Sequence, residues 1–178
     1  MQGAAGVNWL EVQKGEAMKV RQVVTGHDSK GRAVVAHDGE VEAMPVPGLG
    51  EIIPLWSSDE SATYPDDGHN PASPALFPPP GGVRFVIVSY SPEYEWVAAP
   101  PVPEVHRQDG DKPGMHQTDT TDFGIILSGS VILELDDDVE VQLSAGDVVI
   151  EGGTRHRWRV VGDVPLKMAV AIVGAHRR

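Results

Sequence analysis

Phe123-Gly124-Ile125-Ile126-Leu127, Ser130 to Leu135, Glu140 to Leu143, Asp147 to Ile150, Arg155 to Val161 and Leu166 to Val173 are the stretches whose reading decides the fold. Each is short and rich in β-branched or apolar residues. Between them stand Ser128-Gly129, Asp136-Asp137-Asp138, Ser144-Ala145-Gly146, Glu151-Gly152-Gly153-Thr154 and Gly162-Asp163-Val164-Pro165, all of turn-forming composition. Short strands and turn signals at this regular spacing specify an antiparallel sandwich or barrel. Within Ser130 to Asp136 the alternation sets Val131, Leu133 and Leu135 on a core face, and Ile132, Glu134 and Asp136 on a largely wet one. The Asp136–Asp138 triplet reads as a solvated hairpin tip, and Asp147 after Gly146 as a turn residue.

Upstream, Arg84 to Tyr90 reads as a further strand, cut off by the Pro-rich stretch from Ala98 to Pro113. Ser57 to Gly82 is dominated by Ser, Asp, Asn, Pro and Gly, and a loop of that length is either mobile or a functional lid. Val20 to Thr25 and Ala33 to His37 form a hairpin around Gly26-His27-Asp28-Ser29-Lys30-Gly31. Glu51 to Trp56 is a third strand, an edge at best because Pro54 cannot donate to a ladder. Residues 1–19 carry no clear period; a short helix near Trp9 to Met18 and a loose arm fit equally well. The expected organisation is N-terminal strands and a Pro/Gly-rich loop over residues 1–83, packing on a barrel core over residues 84–178 as one structural domain.

Composition narrows the partners. In 178 residues, 14 basic against 26 acidic side chains give a formal net charge of −12, the wrong sign for binding nucleic-acid phosphates or anionic membranes. The absence of cysteine excludes disulfides, thiolate nucleophiles and iron–sulfur clusters. The apolar runs are all shorter than the ~20 residues that span a bilayer. No basic-then-apolar signal segment opens the chain, so a cytoplasmic location is the expectation.

His116-Gln117-Thr118-Asp119-Thr120-Thr121-Asp122 followed by Gly129, and Gly146-Asp147 followed by Gly153-Thr154-Arg155-His156, resemble the two motifs of the cupin superfamily. On this alignment His116 is the first motif's leading histidine, Thr118 stands at its second histidine and Asp122 at its glutamate. His156 is the second motif's histidine, Glu151 stands where proline is expected, and Val160 where the closing asparagine would be. The resemblance covers roughly residues 114–173. It implies an all-β, double-stranded β-helix (jelly-roll) cupin barrel with extra N-terminal strands, and a homodimer in which those strands pack across the partner's sheet.

Parity independently groups the candidate residues. In an extended chain His116, Thr118 and Asp122 project to one face, as do His156, Trp158 and Val160 on their own strand. If both faces look into the barrel, two imidazoles and a carboxylate converge. Such a set suits a divalent ion (Fe, Mn, Ni or Zn) held by His116, Asp122 and His156. The metal-free alternative makes His156 or His116 a general base oriented by Asp122. Trp158 and Thr118 then face the ligand. The first functional reading is an enzyme acting on a hydrophobic, oxygenated small molecule by lyase, isomerase or oxygenase chemistry. The second is a non-catalytic ligand-binding or sensor barrel that has lost its ion. His106, in the Pro-rich stretch, is expected to face solvent.

Overall fold

The computed structural model describes residues 18–46, 50–70, 73, 75–92, 105–107 and 112–177. The expected arm or helix before Met18 lies outside them. The strands are β1 (Lys19–His27), β2 (Ala33–Glu42), β3 (Met44–Val46), β4 (Gly50–Ser58), β5 (Val83–Tyr90), β6 (Val105–His106), β7 (Gln117–Thr118), β8 (Thr120–Ser128), β9 (Ser130–Glu134), β10 (Glu140–Ser144), β11 (Val148–Gly152), β12 (Arg157–Val161) and β13 (Leu166–Gly174). All six strand runs after Met115 are present with shifted ends.

Two antiparallel sheets face each other: six strands in the order β11-β8-β13-β5-β4-β3, and three in the order β10-β9-β12. The chain steps from the larger sheet to the smaller at Gly129, whose φ of +79° suits glycine, and where a Cβ would meet the Pro165 carbonyl oxygen at 2.8 Å. Between the sheets lies the main core, with Ile52, Val86, Val88, Tyr90, Ile126, Val131, Leu133, Trp158, Leu166, Met168, Val170 and Ile172 all buried. Full burial of one such aliphatic side chain stabilises by ~1.5–3 kcal/mol, so this layer drives folding. Together these sheets form the expected all-β jelly-roll barrel.

The predicted hairpin β1–β2 packs on the outer face of the larger sheet, enclosing a second core of Met18, Ile53, Leu55 and Ile87. Its turn is held by Asp28, whose carboxylate accepts from the amides of Lys30 and Arg32, each at 2.9 Å. Glu51 to Trp56 is corrected from an edge to an interior strand: β4 pairs with β5 on one side and β3 on the other. The proline is tolerated because β3 pairs only with Gly50, Glu51 and Ile52, and the β4–β5 register slips between Pro54 and Trp56.

The described part of the 57–82 loop is strapped down rather than lid-like. Arg84, 3% exposed, donates to the Ser58 carbonyl at 2.8 Å, the Ala75 carbonyl at 3.1 Å, the Ser73 hydroxyl at 2.6 Å and Asp59 at 2.5 Å. Glu134 corrects the alternation within β9. It is 1% exposed, not wet, because Lys112 and Arg157 both reach its carboxylate, Arg157 Nε at 2.6 Å. The Asp136–Asp138 tip is ion-paired as well as solvated, Asp136 with Arg155 and Asp138 with Lys112.

Candidate functional site

His116 and His156 sit opposite one another as an antiparallel bridge, each amide donating to the other's carbonyl at 2.9 Å. This brings their ring centroids to 4.4 Å, with both residues only 5% exposed. Each ring is oriented by the backbone two residues earlier: His116 Nδ1 lies 2.8 Å from the Gly114 carbonyl oxygen and His156 Nδ1 lies 2.9 Å from that of Thr154. A carbonyl accepts only, so both Nδ1 atoms carry a proton, and a neutral ring then has its lone pair at Nε2. Burial, with the Arg107 charge adding to it, lowers the His116 pKa against the opposing Gly114 bond. Burial and then His116 push His156 down to about 4. Both rings are therefore neutral at pH 7.

The acids come from the adjoining strands of the larger sheet, where Asp122 of β8 stands in register with Glu151 of β11. On β11 the apolar Val148 and Ile150 face outward, 64% and 65% exposed, while Glu151 faces inward at 7%. Asp122 Oδ1 and Glu151 Oε1 are buried without a hydrogen bond. Glu151 Oε1 approaches His156 Nδ1 to 3.2 Å, but that ring proton is directed at Thr154, so the approach is a contact and not a hydrogen bond. Burial raises the Asp122 carboxyl to about 6 against the Thr120 hydroxyl bond. Burial and the Asp122 charge raise Glu151 to about 8. Near neutrality Glu151 therefore keeps its proton while Asp122 is largely ionised. Burial and these two acids also raise the Tyr90 phenol.

Thr118 and Thr120 are buried, their hydroxyls 2.7 Å apart. Trp158 presents its ring to His156 at 5.8 Å, nearly edge-on, within the main core. A cleft of about 350 Å³ opens beside the two threonines, lined by Gln117, Thr118, Thr120, Thr121, Gly152 and Gly153 among others. His106 is exposed as expected, with Asp119 at 3.3 Å.

The fold thus gathers His116, His156, Thr118 and Trp158 at one end of the barrel, with Asp122 beside them on β8. Two expectations need correction. Asp122 does not orient an imidazole, since the Gly114 and Thr154 carbonyls do so. The acid nearest a histidine is Glu151, which sequence reasoning passed over as a departure from a motif. Its signal was parity with Val149, two residues earlier on β11. The donor set also does not fit the expected ion: among the described residues no three His, Asp or Glu side chains gather closely enough to share one. No helix among the described residues is long and apolar enough to cross a membrane.

Residues 104–173 match the family described as a cupin domain. Phomopsin biosynthesis cluster protein C' of Diaporthe leptostromiformis is 27% identical over 146 residues, 76% of this chain and 68% of its own. Oryzines biosynthesis cluster protein J of Aspergillus oryzae is 31% identical over 80 residues, 45% of this chain and 35% of its own. Among solved structures, the cupin domain of Schizosaccharomyces pombe Cnp3 aligns with a TM-score of 0.48 at 10% identity, over 86% of this chain and 87% of that one.

Proposed function

We propose that the chain, which matches the cupin domain family over residues 104–173, binds a hydrophobic, oxygenated small molecule in its barrel and moves a proton on it as a lyase or isomerase. The observation that carries this reading is the meeting of a neutral imidazole and a protonated carboxyl, His156 and Glu151, 3.2 Å apart and displaced in opposite directions by burial. Titratable groups pushed apart in this way are suited to act as base and acid in one step.

In a dehydration, His156 Nε2 takes the proton from a carbon next to the substrate carbonyl, and the Glu151 carboxyl protonates the departing hydroxyl, which leaves as water. The imidazolium then returns its proton to the Glu151 carboxylate. In an isomerisation the same proton is returned to the substrate at another carbon. His116 helps to keep His156 neutral, Thr118 offers a hydroxyl, and Trp158 supplies an apolar wall.

Deuterium uptake tests the reading. In D2O the protein should place deuterium next to the carbonyl of a small neutral β-hydroxyketone, and His156→Gln should slow this by ~10²-fold or more, the usual contribution of a general base. Absence of exchange across a panel of such ketones, with ligand binding intact in His156→Gln, would favour a non-catalytic binding barrel.

We propose also that the chain works as a homodimer. Phe123, Ile125, Val148 and Ile150 stand exposed on the outer face of β8 and β11, beside the part of that face covered by the chain's own hairpin. An apolar sheet surface of this kind calls for cover. Sedimentation as a monomer at micromolar concentration would contradict it.

A further inference from the structure

We infer that the ligand of this barrel carries a positively charged nitrogen, an ammonium group seated between Asp122 and Glu151. The inference rests on the proposal that the barrel is a small-molecule site, and adds the charge of the molecule it takes.

The two acids stand in register, side by side on neighbouring strands. One oxygen of each, Asp122 Oδ1 and Glu151 Oε1, is buried with no donor. Elsewhere the chain supplies cations to its buried acids. Glu134, at 1% exposure, is held by both Lys112 and Arg157. Asp122 forms no ion pair among the described residues, and the His156 ring that Glu151 meets directs its Nδ1 proton at the Thr154 carbonyl. Thr120 is the donor that reaches Asp122. A buried acceptor without a donor costs ~1–3 kcal/mol, so such a pair is costly unless something else supplies donors.

The chemistry of the missing partner follows from the shortage. An ammonium has three donors and no acceptor, and its charge opposes that of the pair. A hydroxyl offers one donor for two acceptors and no charge. A carboxylate or phosphate would bring lone pairs and like charge against two acids. A bare metal ion would match the charge, but among the described residues no three ligands assemble for one.

Isothermal titration in chelator-treated buffer at pH 7.5, with benzylamine, benzyl alcohol and benzoate as probes of similar shape, tests the assignment. Benzylamine should bind at least tenfold more tightly than benzyl alcohol, with benzoate the weakest. The shape-preserving Asp122→Asn and Glu151→Gln variants should each reduce the benzylamine preference tenfold or more. Equal binding of the alcohol and the amine to the unaltered protein would overturn the cation while leaving the small-molecule site in place. So would benzylamine binding that is insensitive to both substitutions, or that appears only on addition of zinc. Failure of all three probes to bind would overturn the cation and the barrel site together.

Discussion

The two ends of the barrel interior are equally dry and chemically opposite. At one end Ile126, Val131, Leu166 and Met168 are 0–4% exposed; at the other His116, Thr118, Thr120, Glu151 and His156 are 3–7% exposed. Burial at the first end is favourable in itself. At the second it raises both carboxyls, lowers both imidazoles and leaves two oxygens without donors. The apolar end holds the fold together, and its stability supports a polar end that folding alone would not select.

The comparison breaks most visibly if a residue is removed from the apolar end. Leu166→Ala, at 0% exposure, should lower unfolding stability by ~2–5 kcal/mol, as measured by urea denaturation, while ligand affinity of the folded fraction stays unchanged. An equal loss of affinity would mean that the two ends are not separate.

A smaller effect lies in the pH dependence of the polar end. Glu151 has a folded pKa raised from 4.5 to about 8, so the stability it contributes is full below about pH 4.5 and is lost as pH rises through 8. His156 is depressed from 6.5 to about 4, so its contribution is present above 6.5 and lost as pH falls toward 4. Between pH 6.5 and 8.5 the acid effect dominates. The thermal midpoint should fall over that interval, and Glu151→Gln should flatten the fall. A midpoint that rises with pH there would contradict the burial of this acid.

The smallest expected change is in the stability of His156→Gln. Because the imidazole is not part of the apolar core cluster, its loss should cost no more than the ~1 kcal/mol of an ordinary substitution. A cost of several kcal/mol would sharpen the comparison in the other direction, making His156 a structural histidine.

How much of this was legible beforehand differs between the same two regions. The apolar end follows from alternation: Val131 and Leu133 on β9 and the Leu166–Val173 run fall where period two places them. His116, His156 and Trp158 were reachable from motif spacing and parity. Glu151 was hidden because β11 inverts the usual pattern, with Val148 and Ile150 outside and the acid inside. That inversion is explained by the outer face of the larger sheet, which is apolar across several strands and partly covered by β1–β2. The alternation alone sets Glu134 on the wet face because its partners are distant in sequence, Lys112 22 residues earlier and Arg157 23 later. The strap around Arg84 has the same cause: Asp59 is 25 residues away, and local pattern carries no sign of their meeting.

His116 and His156 face each other as neutral rings with their protons on Nδ1, beside the raised carboxyl of Glu151. A long-range ¹⁵N–¹H NMR spectrum of the histidine rings at pH 7 measures this without any substrate. Both rings should appear in the neutral form protonated at Nδ1, with His156 still neutral at pH 5.5. An imidazolium signal from His156 at pH 7, or a proton on its Nε2, would contradict it.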